Sequence, residues 1–160
     1  MTSLVIDCET DNLVPLLKNV WVVCTKVLET GDKCSFRSRE DLCNYLDKLK
    51  PDLVIGHNVT FDLEALRFVW GIEYKWDTKG CSFNGKPVRF LDTLQLSQFL
   101  NADRQPGHSL EAFGEKLGLE KVAHEDWSVY SEEMLMRCDR DVDLTELVFK
   151  RLIKELADYE

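Results

Sequence analysis

The chain has 160 residues, of which 44% are hydrophobic and 31% charged, and it carries a net charge of −9 at pH 7. That length holds one domain with its own core and excludes two ordinary ones, and no apolar run approaches the roughly 18 residues a membrane span needs. The acidity weighs against nucleic acid as a partner, since phosphate recognition wants a basic face, unless some of the acids serve to hold cations.

No basic, apolar leader opens the chain, because a strand begins within four residues of Met1; the cytoplasm is the expected compartment. The six cysteines, at 8, 24, 34, 43, 81 and 138, form no C-x-x-C. They read as reduced, small core residues. His57, His108 and His124 are scattered, without the spacing of a zinc enzyme.

Leu4 to Asp11 predicts the first strand. Successive side chains point to opposite faces, so Leu4, Ile6 and Cys8 share one face and Asp7 and Glu9 the other. The two carboxylates lie about 7 Å apart along the strand. Standing alone, such a pair reads as a strand running out into a polar turn. The alternative is a divalent-cation site, because hard cations want several carboxylate oxygens at one point. Thr10-Asp11-Asn12 reads as a turn. Val20–Val27 is rich in β-branched and aromatic residues and predicts a second strand. Thr30-Gly31-Asp32-Lys33 turns into a short strand at Cys34–Arg37. Short connections make these three strands antiparallel neighbours.

Ser38 can cap a helix to about Leu49, with Leu42, Tyr45, Leu46 and Leu49 on one stripe. Leu53–Gly56 is a short apolar run of buried-strand type, expected parallel to the first. A helix follows from about Thr60 to Trp70, ended by Gly71. On it Asp62 falls at the stripe of Ala65, Leu66 and Val69; an acid there can also complement the helix dipole. Asn84-Gly85 signals a hairpin, expected to join Cys81–Phe83 to Val88–Leu91. Asp92 opens a short helix to about Leu100. Ser109 caps another, Leu110 to Leu117, which Gly118 ends. Residues 119–130 read as a loop containing Trp127 and Tyr130. The last helix is expected from about Glu132 to Ala157. Met134, Cys138, Asp141, Thr145, Val148 and Leu152 share one face of it, which sets Asp141 among apolar residues. Asp139 and Asp143 lie off that face and read as solvated.

Three distant segments thus each place acids on an inward face. Burying unpaired carboxylates costs several kcal/mol each, and a shared cation removes that cost. The expected site combines Asp7, Glu9, Asp62 and Asp141. No repeat, low-complexity run or linker divides the chain, so 1–160 reads as one domain.

The ordered motifs make a resemblance specific. Asp7-Cys8-Glu9-Thr10-Asp11-Asn12-Leu13, Asn58-Val59-Thr60-Phe61-Asp62, Asp92-Thr93-Leu94, Ser109-Leu110-Glu111 and Asp141-Val142-Asp143-Leu144-Thr145 resemble, in order and spacing, the DEDD 3′→5′ exonucleases. The closest likeness is to the proofreading domain of family A DNA polymerases. The resemblance implies an α/β, ribonuclease H-like fold: a mixed sheet, antiparallel in its first three strands and then parallel, flanked by helices. It implies two Mg²⁺ or Mn²⁺ ions on Asp7, Glu9, Asp62 and Asp141, and release of nucleoside 5′-monophosphates from a DNA 3′ end. It also implies roles for Thr10, Leu13, Asn58 and Phe61 in binding the terminal nucleotide, with Leu13 against its base. The other reading of Leu13 is a plain core leucine.

One position departs from the pattern. That branch carries a water-orienting tyrosine four residues before the last acid, and this chain has Arg137 there. Three readings stay open: a contact to the scissile phosphate, a stand-in for one cation, or an ion pair of little consequence, with Asp141 in reach four residues on. The leading expectation is a metal-dependent DNA exonuclease, monomeric, working alone or beside a separate polymerase. The alternatives are an exoribonuclease of ribonuclease D type and a binding module with impaired catalysis.

Overall fold

The central strand is β1 (Ser3–Thr10), and the computed structural model, which describes residues 1–119 and 122–159, builds a five-stranded sheet around it. On one side β1 pairs antiparallel with β2 (Val20–Val27), which pairs antiparallel with β3 (Lys33–Phe36). On the other it pairs parallel with β4 (Leu53–Gly56), which pairs parallel with β8 (Arg89–Asp92). The parallel strands β1, β4 and β8 therefore end at one edge of the sheet. In open α/β sheets that edge, at the carboxyl ends of the strands, is where ligands bind.

Alternation along β1 sorts the core into two layers. Leu4, Ile6 and Cys8 join Leu42 and Leu46 of α1 (Arg39–Leu49) and Leu63 and Leu66 of α2 (Val59–Trp70). On the other face Val5 meets Met134, Cys138 and Val142 of α5 (Glu132–Tyr159). Further along α5, Leu144, Val148 and Leu152 are covered by Leu110 and Phe113 of α4 (Leu110–Leu117), with α3 (Thr93–Leu100) alongside. Leu66 and Leu152 are wholly buried; truncating either to alanine costs about 2–5 kcal/mol.

The helix signals in the sequence act as expected. Ser38 accepts from the Asp41 N–H, Ser109 from the Ala112 N–H, and Asp92 from the Leu94 N–H. Each satisfies a backbone donor that the first turn would leave bare. Gly71 ends α2 in the left-handed region at φ 67°. Gly56 is required for a different reason. A Cβ there would lie 2.6 Å from Val59 Cγ2, so only glycine lets α2 start this close to the end of β4.

Two expectations change. Asn84-Gly85 does form a turn, but it joins β6 (Gly80–Phe83) to the two-residue β7 (Lys86–Pro87), not to the run that reaches Leu91. With β5 (Tyr74–Asp77), which the sequence reading lacked, these make a second, three-stranded sheet. Val88 breaks the run, and β8 enters the main sheet beside β4. Trp76, Phe83 and Tyr74 pack around the Phe90 ring of β8, at 5.1, 6.2 and 6.4 Å, and so hold the small sheet to the large one. Asp139 and Asp143 are not simply solvated. Lys33 Nζ bridges them at 2.7 and 2.8 Å, and Lys26 Nζ reaches Asp143 at 3.2 Å and Glu146 at 2.7 Å. The last helix runs on to Tyr159. The loop over 119–130 holds for 122–130, while 120 and 121 lie outside the described residues.

Candidate metal and nucleotide site

The last residues of β1 set Asp7 and Glu9 on the face that meets α5. The ladder to β2 shifts register between Glu9 and Thr10, which releases the chain from the sheet just past the acids. From α5, Cys138 reaches in: its sulfur and a carboxylate oxygen from each of Asp7 and Glu9 lie within 4.8 Å of one another. The thiol donates to the Asp7 carbonyl at 3.4 Å and approaches Asp7 Oδ2 at 3.7 Å. Asp141, one turn further along this face of α5, is 3% exposed. Its carbonyl accepts from the Thr145 hydroxyl at 2.7 Å.

Asp62 enters from the first turn of α2 and is 2% exposed. Its Oδ1 accepts from both the N–H and the thiol of Cys8, at 3.0 and 3.1 Å. Cys8 is the residue between Asp7 and Glu9, so Asp62 fixes the backbone that carries both. Burial pushes the Asp62 carboxyl up to about 7, and Asp92 adds to the effect against the pull of the Cys8 bonds. Asp92 also accepts from the Asn58 N–H at 2.8 Å, which ties the start of α2 to the end of β8.

This donor set fits a hard divalent cation. Asp7 and Glu9 bring carboxylate oxygens within 4.8 Å of each other, and like charges at that spacing repel while opposite charge relieves them; Asp62 and Asp141 are buried on α2 and α5 outside that cluster. In the metal-free protein burial, then neighbouring Cys24, Asp7 and Glu9, hold the Cys138 thiol well above the usual range, so there it is a hydrogen-bond donor. The carboxylate oxygens suit a hard divalent cation.

Beside the acids opens a cleft of about 350 Å³, lined in part by Glu9, Thr10, Leu13, Phe61 and Trp127. Leu13 is 69% exposed, which removes the core-leucine reading. The turn presents it: Asp11 accepts from the Lys18 and Asn19 N–H groups, and Asn12 from the Leu13 N–H. The Thr10 hydroxyl donates to the Asn12 carbonyl. Asn58 is different. It is exposed, sits in the left-handed region at φ 60°, and among the described residues is apart from the cleft lining.

Arg137 turns toward Glu9 and the 122–130 loop. Its Nε lies 3.7 Å from Glu9 Oε1, one guanidinium N–H donates to the Val122 carbonyl at 2.6 Å, and its Cζ lies 5.2 Å from the centre of the Trp127 ring. Glu9 from β1 supplies an ion pair that the i, i+4 spacing along α5 does not announce. Sequence reasoning missed Trp127 as a cleft residue and Cys8 and Cys138 as neighbours of the acids. For the cysteines a signal existed, since Cys8 stands between the two acids and Cys138 one turn before Asp141. For Trp127, a loop residue, none did.

No protein-family model and no curated protein matches the chain. Solved structures do. The family B DNA polymerase from the hyperthermophilic archaeon Pyrobaculum calidifontis matches with a TM-score of 0.68 at 17% identity, over 96% of this chain and 24% of the polymerase. Brucella melitensis NrnC bound to pGG matches with a TM-score of 0.69 at 22% identity, over 98% of this chain and 74% of NrnC. This chain thus spans about a quarter of the polymerase's length. Identities this low speak for the fold, which is ribonuclease H-like: a mixed sheet flanked by helices, with the acids at the end of its central strand.

Proposed function

We propose that this protein is a divalent-cation-dependent 3′→5′ exonuclease that releases nucleoside 5′-monophosphates from a single-stranded or frayed DNA end. One observation carries the reading: Asp7 and Glu9 converge at the end of β1 where a nucleotide-sized cleft begins, with Glu9 in both. A fold shared with a DNA polymerase and with a protein bound to pGG supports a nucleic-acid substrate.

Asp7, Glu9, Asp62 and Asp141 would hold two Mg²⁺ or Mn²⁺ ions. When bound, such ions activate water and neutralise charge on the leaving 3′ oxygen. The chain's own residues do the rest. Asp62 keeps the Asp7–Glu9 backbone in place through Cys8. Leu13 and Phe61 give the terminal nucleotide an apolar surface, and the Thr10 hydroxyl stands at the same wall. Fixing the strand end against the acids converts an encounter into a positioned reaction.

Two observations favour variants of this reading. The likeness to NrnC bound to pGG supports RNA as the strand, in which case the site must accept a 2′-OH. The Arg137 guanidinium beside Glu9 supports a binding module with reduced catalysis, a cation of the chain's own standing near a ligand. Single-turnover digestion of 3′-labelled single-stranded DNA and RNA, in Mg²⁺, Mn²⁺ or chelator, separates them. The proposal expects stepwise shortening from the 3′ end of DNA that needs metal and disappears in Asp7→Ala. Faster loss of RNA would reassign the substrate. No cleavage of either polymer in either metal would leave the binding module.

A further inference from the structure

Trp127 is neither a core residue nor a free surface one. Its ring is half-buried and faces the cleft that Leu13 and Phe61 also line. Its place is set from several sides. The Trp127 carbonyl accepts from Trp21 Nε1 at 2.8 Å, which anchors the loop to β2. His124 stands edge-on to the ring at 4.7 Å. Arg137 lies 5.2 Å from its centre while bonding to the Val122 carbonyl, at the start of the same stretch of loop. An aromatic ring held this firmly at a cleft keeps its orientation when a ligand arrives, so little ordering is left to be done on binding.

We infer that Trp127 is the base-stacking wall of this cleft and that Arg137 is the residue that positions it. The inference rests on the exonuclease reading for the identity of the ligand, a nucleotide at a 3′ end, and adds a specificity-determining pair to it. Every base offers a π-face, so stacking on Trp127 holds any terminal base without reading its sequence. The cleft, at about 350 Å³, lies at the small end of the roughly 300–1,000 Å³ typical of ligand sites, a size for one nucleotide and not for a paired end. Arg137 then has work other than that of the tyrosine its position would suggest. Its guanidinium spans from Glu9 to the loop, and so sets the distance between the carboxylates and the stacking wall.

The test compares initial rates on single-stranded DNA ending in an ordinary 3′ nucleotide or in an abasic one. Trp127→Leu raises KM about tenfold on the ordinary end, with a smaller change in kcat, and leaves the abasic substrate as it was. Trp127→Phe recovers most of the loss. Arg137→Ala moves KM in the same direction by less, and adds little to Trp127→Leu. Equal losses on both ends, or a fall in kcat alone, would overturn the inference. A second arm needs no hydrolysis: tryptophan fluorescence titrated with thymidine 5′-monophosphate. Quenching in the wild type that is absent in Trp127→Leu and weaker in Arg137→Ala is expected. Quenching unchanged in Trp127→Leu, or missing from the wild type, would overturn it. Because this arm stands whether or not the wild type cleaves DNA, it separates failure of the stacking wall from failure of the exonuclease reading.

Discussion

Helix α5 carries two sets of acids, and they are treated in opposite ways. On its flank, Asp139, Asp143 and Glu146 meet Lys26 of β2 and Lys33 of β3 at 2.7–3.2 Å. Burial alone would push Asp143 and Glu146 up, yet the lysines hold both below the usual carboxylate range. On its inward face, Asp141 is buried one turn beyond Cys138, whose thiol reaches the Asp7 carbonyl at the end of the sheet, and Asp62 is buried in the first turn of α2. There the donors reaching Asp62 are the neutral N–H and thiol of Cys8, and its carboxyl rises to about 7. The flank acids are matched by charges within the chain and serve stability. Asp62 is held at a cost to stability that a bound cation would remove.

The sharpest way to break this contrast is to neutralise one acid from each set. Asp141→Asn is expected to lower the rate of nucleotide release on the order of 10³-fold with the fold intact by circular dichroism. Asp143→Asn should leave the rate nearly unchanged. Comparable losses in the two would erase the distinction between them.

Stability should move the other way. Between about pH 4 and about pH 7 the folded state keeps the Asp62 proton while the unfolded chain has lost it. The metal-free protein therefore loses stability as pH rises through that window and levels off above it. Asp62→Asn removes this loss. In chelator at pH 8, it should raise unfolding free energy on the order of 2–4 kcal/mol, read by urea denaturation, while abolishing activity. A destabilised Asp62→Asn would show that the carboxylate is not strained in the folded state.

The flank gives a smaller effect of opposite sign. Lys26→Met leaves Asp143 and Glu146 short of a partner and should cost about 1–2 kcal/mol, reduced from the buried-pair range because the acids are partly exposed. The depressed carboxyls contribute stability that is present above the ordinary range near pH 4 and is lost as pH falls through their folded values. Acid denaturation of Lys26→Met should therefore be shallower than that of the wild type. Smallest of all is Leu13→Ala. At 69% exposed it should change stability by less than about 0.5 kcal/mol while weakening binding of a DNA 3′ end, measured by fluorescence anisotropy.

Much of this was legible in the sequence, and the exceptions share a cause. Alternation in β1 and the 3.6-residue stripe on α5 fix which face each acid occupies, because those periods come from backbone geometry. Ser38, Asp92 and Ser109 mark helix starts, since a first turn needs acceptors for its N–H groups. What periodicity does not supply is the identity of the group across the gap. Asp139 and Asp143 lie off the apolar stripe as read, but Lys26 and Lys33 face them from two strands more than a hundred residues earlier. Arg137 had Asp141 in reach along its own helix and pairs with Glu9 from β1. Asn84-Gly85 announces a turn, which is a local fact, whereas the sheet its strands join depends on Phe90 and its aromatic neighbours. Trp127 sits in a stretch with no period, held by Trp21, which is distant in sequence, and by Arg137 of the following helix.

The central claim is that the inward acids hold divalent cations and the flank acids do not. Mn²⁺ binding, followed by electron paramagnetic resonance of the free ion, tests it most directly in three proteins: wild type, Asp7→Ala and Asp143→Ala. The account predicts tight uptake of Mn²⁺ by the wild type and by Asp143→Ala, and loss of that uptake in Asp7→Ala. Equal uptake by Asp7→Ala, or its loss in Asp143→Ala instead, would contradict it.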